Sequence, residues 1–318
     1  MRLTRILLCS AAAAVFTLTV PASGPALLFQ SSAQAATEVS VSINTFYDDL
    51  APHGSWTQYE GAYVFIPSGV RTGWRPYTVG HWVHTKKYGW FWVSNEPFGW
   101  ATYHYGRWGY ADDIGWYWVP GRRWAPAWVS WRRSKGYVVW APLPPRVDDD
   151  VSVEISVSDI PEDYWIAVPS RSFLEVDLSA VVIDDDRERI RVVEEAEPIG
   201  NVTIENNVVV NNVIDVDYVR QETNKEVKTV EVKETDDPQQ SGKSSDGEVS
   251  AFTGEVSEKK DAKPAEVKDV EEVKKEKASQ PGQAPEGSQS PDAGQTGQQP
   301  DQGKAKPGEE TEPGAPSG

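Results

Sequence analysis

All fourteen tryptophans of the 318-residue chain lie between Trp56 and Trp165, and thirteen of them fall in a repeat that ends at Trp140. Gly80-His81-Trp82 is followed after six residues by Gly89-Trp90-Phe91-Trp92-Val93. Gly106-Arg107-Trp108 is followed after six by Gly115-Trp116-Tyr117-Trp118-Val119. Both fit one template, G-x-W-x6-G-W-x-W-V. A shorter variant stands at each end: Ser55-Trp56 leads to Gly61-Ala62-Tyr63-Val64-Phe65, and Ser130-Trp131 leads to Gly136-Tyr137-Val138-Val139-Trp140. The leading tryptophans Trp56, Trp82, Trp108 and Trp131 are spaced 26, 26 and 23 residues apart. Such regularity means one supersecondary unit copied and stacked.

Short aromatic and β-branched runs broken by glycine and polar residues read as strands with tight connections. Lys86-Lys87-Tyr88-Gly89 and Ala111-Asp112-Asp113-Ile114-Gly115 fit hairpin loops in which glycine supplies a positive φ. The expected fold class is all-β. Four Trp-rich antiparallel hairpins over residues 46–145 form a twisted meander or a small barrel, because isolated hairpins are marginal and stacking buries their aromatic faces.

Charge divides the rest of the chain. Phe46 to Pro142 carries ten Lys/Arg against six Asp/Glu, whereas Val147 to the end carries eighteen against forty-one. Residues 146–220 alternate Val/Ile with acids and asparagines, including the low-complexity stretch from Asn201 to Ile214, and read as a β-rich extension. Residues 221–318 are charged and then Pro/Gly/Gln-rich. Such composition buries too little apolar surface to offset ordering entropy, so an acidic disordered tail is expected, with one short charged helix near Ala265–Lys277.

Residues 1–35 read as a signal peptide: Arg2 and Arg5 precede an apolar run from Ile6 to Val20, and Ala33-Gln34-Ala35 offers a small-residue cleavage site. The run is short of the roughly 20 residues a spanning helix needs, so no transmembrane segment is expected after signal removal. The single cysteine, Cys9, lies inside it without the small preceding residue of a lipidation site. The mature chain then has no thiol for catalysis or disulfides. The expected location is periplasmic or secreted, associated with the cell envelope of a Gram-negative bacterium.

The segments FYDDLAPHGSW, GWRPYTVGHW, EPFGWATYHYGRWGY, GWYWVPGRRWAPAWVSWR and WAPLPP, with YWIAVPSRSFLEVDL extending to about residue 178, resemble an exported bacterial Trp/Gly-rich family known as domain of unknown function 6600. The resemblance covers roughly a third of the chain. It implies a fold and an exported location, and supplies no catalytic residues. The choline-binding repeat shares Gly-Trp spacing, but its period is near twenty residues and this module is basic.

Between Ala51 and Pro142 there is no leucine or methionine, so tryptophan and tyrosine must do the packing. Yet 27 aromatics from Phe46 to Trp140 exceed what about 100 residues can enclose. In extended strands Trp90 and Trp92 face one way and Phe91 the other; Trp116 and Trp118 stand likewise against Tyr117. One aromatic face is then left over. Trp90, Trp92, Trp116 and Trp118 are the candidate ligand platform, with Arg107, Arg122 and Arg123 as a polar rim. The expected partner is an envelope glycan or peptidoglycan, or alternatively another envelope protein in an assembly role. Export argues against nucleic acid, and the acidic tail offers itself as a competitor for the basic patch.

Catalytic signals are poor, and a non-enzymatic role without cofactors is expected. His81 and His84 would lie on opposite strand faces, and no further metal ligands are marked beside them or the other two histidines, His53 and His104. Asp148-Asp149-Asp150 and Asp184-Asp185-Asp186 lack calcium-loop spacing. Glu96 with Asp112 or Asp113 is the one carboxylate pair that would suit glycoside hydrolysis.

Overall fold

Each copy of the repeat becomes one hairpin because its two glycines do two different jobs. The structure, a computed structural model, describes residues 41–145, 159–205, 208–245, 247–254, 256–257 and 259–279. After β1 (Val41–Ser42) and α1 (Ile43–Leu50) come the hairpins β2 (Gly54–Tyr59) with β3 (Ala62–Pro67) and β4 (Gly80–Thr85) with β5 (Gly89–Ser94). A one-turn helix α2 (Gly99–Thr102) precedes β6 (Arg107–Ala111) with β7 (Gly115–Val119), and then β8 (Val129–Ser134) with β9 (Tyr137–Pro142). Gly89 and Gly115 close their turns at φ of +71° and +74°, which side chains resist. Gly80 and Gly106 serve close approach: a Cβ on either would collide with the backbone carbonyl of Val93 or Val119.

The leading tryptophan of each hairpin meets an aromatic ring directly across the ladder. The pairs are Trp56 with Phe65, Trp82 with Trp92, Trp108 with Trp118 and Trp131 with Trp140. The first, second and fourth pairs meet ring to ring and contribute on the order of 1 kcal/mol each beyond area burial. Hairpins one and three join through β3 and β7 into a sheet ordered β2-β3-β7-β6. Hairpin two packs its tryptophans on hairpin four, with Trp82 4.8 Å from Trp131 and 5.9 Å from Trp140.

The extension supplies β10 (Ile166–Pro169), α3 (Asp186–Glu194), β11 (Glu197–Asn201), β12 (Thr203–Glu205), β13 (Val208–Val210) and α4 (Val216–Thr223). β10 and β11 flank hairpin four in the order β10-β9-β8-β11. The low-complexity stretch pairs as the small β12–β13 hairpin and then sends Asn211 into the core. There the Asn211 amide donates to the Trp90 carbonyl and accepts from the Trp131 indole, both at 2.9 Å.

The fold is mostly antiparallel sheet, with no closed barrel among the described residues. Disorder from residue 221 onward is not what residues 222–279 show. They form β14 (Thr229–Glu234), β15 (Ser244–Ser245), β16 (Glu248–Ala251), β17 (Val256–Ser257) and α5 (Val270–Ala278). β14 adds in parallel to the edge of β4, β16 adds to β14, and β17 pairs with β1. The physical reason is that open sheet edges provide backbone partners, so a few buried anchors suffice: Val249, Phe252, Val256 and Val273. The short charged helix expected near 265–277 is α5. The signal segment, the Asp148–Asp150 run with the strand expected after it, and residues 280–318 lie outside the described residues.

Candidate functional site

The aromatic platform is not open. Trp90, Trp92 and Trp118 are 0% exposed and Trp116 is 8% exposed. Both faces of the G-W-x-W strands are covered, largely by parts of the chain outside the hairpins, although Tyr117 is half-buried. Behind hairpin two, Phe91 lies 4.8 Å from His104 and 5.9 Å from Trp124. Behind hairpins one and three, Val273 of α5 packs with Val64, Ile66 and Ile114, and Tyr117 is 5.3 Å from Tyr59. Indole N–H groups fasten these covers: Trp90 donates to the Ile214 carbonyl, Trp118 to that of Tyr105 and Trp128 to that of His104.

The expected rim does not form either. Arg107 is buried with its guanidinium 3.7 Å from the Trp128 ring, while Arg122 is half-buried and Arg123 exposed. Arg132 and Arg133 lie over Trp165 and Tyr218. Arg107, Arg132 and Arg133 thus serve as structural cation–π partners. The tail does fold back, but by strand addition and buried anchors; Lys87 with Glu234 is the exposed ion pair that joins it to the module's cations.

What the structure does present is a cleft of about 560 Å³ at the end of hairpin two. His81, Asn95 and Glu96 line it from β4 and the turn after β5, Trp100 and His104 from α2 and the turn that follows. Gln239, Ser241, Gly242 and Lys243 form the opposite wall. Neither wall is complete without the other.

Two groups in this cleft are electrostatically unusual. Glu96 is half-buried, accepts from the Trp74 indole at 2.6 Å and takes a short hydrogen bond from the Tyr103 hydroxyl. Burial raises its pKa to about 7 despite those two donors. His104 is fully buried, and its Nδ1 stands 2.9 Å from the Ala125 carbonyl. A carbonyl can only accept, so Nδ1 carries the proton and Nε2 is a bare acceptor. Burial lowers the His104 pKa to about 4, keeping the ring neutral. Nε2 has no protein hydrogen-bond partner.

The other candidates resolve into structure. Asp185 caps α3 by accepting from the Glu188 amide, Asp184 pairs with Arg71, and Asp186 pairs with Arg75 and Arg189. Asp113 pairs with Lys274, whereas Glu96 bonds Trp74 and Tyr103, so the structure shows no contact joining the suggested hydrolase carboxylates. His81 and His84 fall on opposite faces of β4, one lining the cleft and the other against Trp90. Among the described residues no three His, Cys, Asp or Glu side chains gather as a metal site would require. No helix there is long and apolar enough to cross a membrane. Of the cleft residues, the sequence singles out Glu96 and His81; His104 carries no signal beyond its residue type inside an aromatic module.

Residues 47–147 match the family of unknown function DUF6600. No curated protein and no solved structure matches the chain. The DUF6600 segment contains Glu96, Trp100 and His104, while the opposite wall of the cleft, Gln239 to Ser244, lies outside it. Its aromatic core is likewise completed by residues beyond its end, notably Phe173, Asn211 and Phe252.

Proposed function

We propose that this protein is an exported, non-enzymatic component of the bacterial cell envelope that binds a glycan or peptidoglycan fragment in the cleft at the end of hairpin two. Export is supported by Arg2, Arg5, the apolar run to Val20 and the Ala33-Gln34-Ala35 site. The observation that carries the ligand class is the lining. Asn95, Gln239, Ser241, Lys243 and His81 offer donors and acceptors suited to hydroxyl and amide groups, and the Trp100 ring stands among them. A concave site with a few convergent polar groups is where a small polar ligand is held.

Isothermal titration calorimetry of the mature protein against soluble disaccharide-peptide fragments of peptidoglycan and envelope polysaccharides tests the reading. Saturable binding that weakens at least tenfold in Asn95→Ala supports it. No heat with any of these glycans, from protein whose near-ultraviolet circular dichroism shows a packed aromatic core, would refute it. A crosslinked envelope protein in place of a glycan would support the assembly role instead.

A further inference from the structure

Resting on that reading of the cleft, we infer that the wall formed by Gln239 to Ser244 is a cover that swings away from His104, letting Nε2 accept a hydrogen bond from a ligand hydroxyl or amide N–H.

Three observations support the inference independently. The first is the acceptor itself. His104 Nε2 is committed to accepting by the Nδ1 bond to the Ala125 carbonyl, and no protein group donates to it. Its ring is held 4.8 Å from Phe91 and stacked nearly parallel to Trp124, at 12° and 5.9 Å, which restrains it from turning to find a donor. Buried acceptors in this condition are rare because desolvation is uncompensated.

The second is what closes over it. Gly242 holds a φ of +78°, and a Cβ built there would have His104 Nε2 as its near neighbour at 3.5 Å. The imidazole therefore faces a residue with no side chain and no donor aimed at it; the Gly242 amide is used on the Ser250 carbonyl at 2.8 Å.

The third is how the cover is held. Among the described residues, the hydrogen bonds of residues 238–244 return to the segment 237–252 itself. Ser241 N and Gln240 N donate to the Pro238 and Asp237 carbonyls, Ser250 N to that of Lys243, and Phe252 N to the Ser241 hydroxyl. Ser244 pairs with Val249. The anchors Val249, Ala251 and Phe252, with Tyr105 donating to the Phe252 carbonyl, form the far strand of that segment. Opening the cover therefore breaks its bonds to residues 249–252 but, among the described residues, no hydrogen bond to residues 47–147. Hinged elements are drawn from such weakly tied segments.

The test uses the full mature chain. Carbethoxylation of His104 by diethylpyrocarbonate, read by mass spectrometry, reports access to the free Nε2 lone pair. Replacing Gln239–Ser244 with a Gly-Ser link of equal length should raise the rate at least tenfold over wild type. An unchanged rate overturns the inference. If the replacement does not fold, the wild-type rate decides. Slowing of the reaction, relative to free imidazole, by less than the global folding equilibrium constant from urea unfolding supports a moving cover; slowing by that full factor overturns it. For the ligand arm, a soluble disaccharide-peptide fragment should bind His104→Phe at least tenfold more weakly than wild type, and equal affinity overturns the acceptor role. A wild-type protein that binds no glycan refutes the proposed function, and the carbethoxylation arm still decides the cover.

Discussion

Glu96 and His104 should oppose each other in the pH dependence of stability, and removing either should unmask the other. The Glu96 carboxyl has a folded pKa of about 7 against an ordinary 4.5, chiefly from burial. Between those values the folded protein holds a proton that the unfolded chain has released, so stability present at pH 4.5 is lost as pH rises through 7. At 1.36 kcal/mol per pH unit the interval corresponds to about 3 kcal/mol. His104 runs the other way. Its folded pKa of about 4 against 6.5 means that stability present above pH 6.5 is lost as pH falls toward 4, again by about 3 kcal/mol. From pH 4.5 to 6.5 the two slopes cancel.

Glu96→Gln keeps an oxygen for the Trp74 indole and removes one titration. Urea unfolding followed by tryptophan fluorescence at pH 4.5, 5.5, 6.5 and 7.5 should show the variant gaining on wild type with each step. The total gain is about 3 kcal/mol, or about 6–12 °C in Tm for a chain of this size. His104→Phe should show the mirror image, losing ground relative to wild type from pH 4.5 upward. Parallel curves for Glu96→Gln and wild type across the range would refute the assignment of that proton to Glu96.

Three other perturbations follow from the packing. Asn211→Ala strands the Trp131 indole N–H and the Trp90 carbonyl, and should cost about 3 kcal/mol in urea unfolding; a loss under 1 kcal/mol would mean the amide bridge is dispensable. Gly136→Ala meets open space at φ +81° and should cost about 1 kcal/mol, whereas Gly89→Ala also collides with Asn211 and Asn212 and should cost about 2–4 kcal/mol. Val273→Asp places a charge against Val64, Ile66 and Ile114, so α5 should detach and dye binding to the exposed hairpin face should rise, with hairpins two and four unaffected.

The hairpins were legible because the repeat encodes them twice, once in the spacing of its glycines and once in the alternation of its aromatics. The cover was not. Val249, Phe252 and Val273 lie in short, sparse apolar patches within a charged tail, and their burial depends on surfaces that exist only after the hairpins fold. The cleft was obscured for the same reason, since Glu96 and His104 meet Gln239 to Ser244 through that late strand addition. α5 was legible because its acidic first turn, Glu271 and Glu272, and basic last turn, Lys275 and Lys277, are a local signal that needs no partner.

The aromatic surplus that first suggested a ligand surface has a different meaning in this fold. Twenty-seven aromatics are too many for about 100 residues to enclose, and that inference holds. The remaining cover comes from the same chain: Phe173 and Asn211 close hairpins two and four, Phe252 is tied to the module through the Tyr105 hydroxyl, and Val273 closes hairpins one and three. Residues 47–147 are thus a family segment without being a self-sufficient core. The chain that completes the core also builds the second wall of the cleft. A change of cover outside the DUF6600 segment would therefore alter both the stability of the hairpins and what the cleft can hold, while the tryptophan repeat stayed the same.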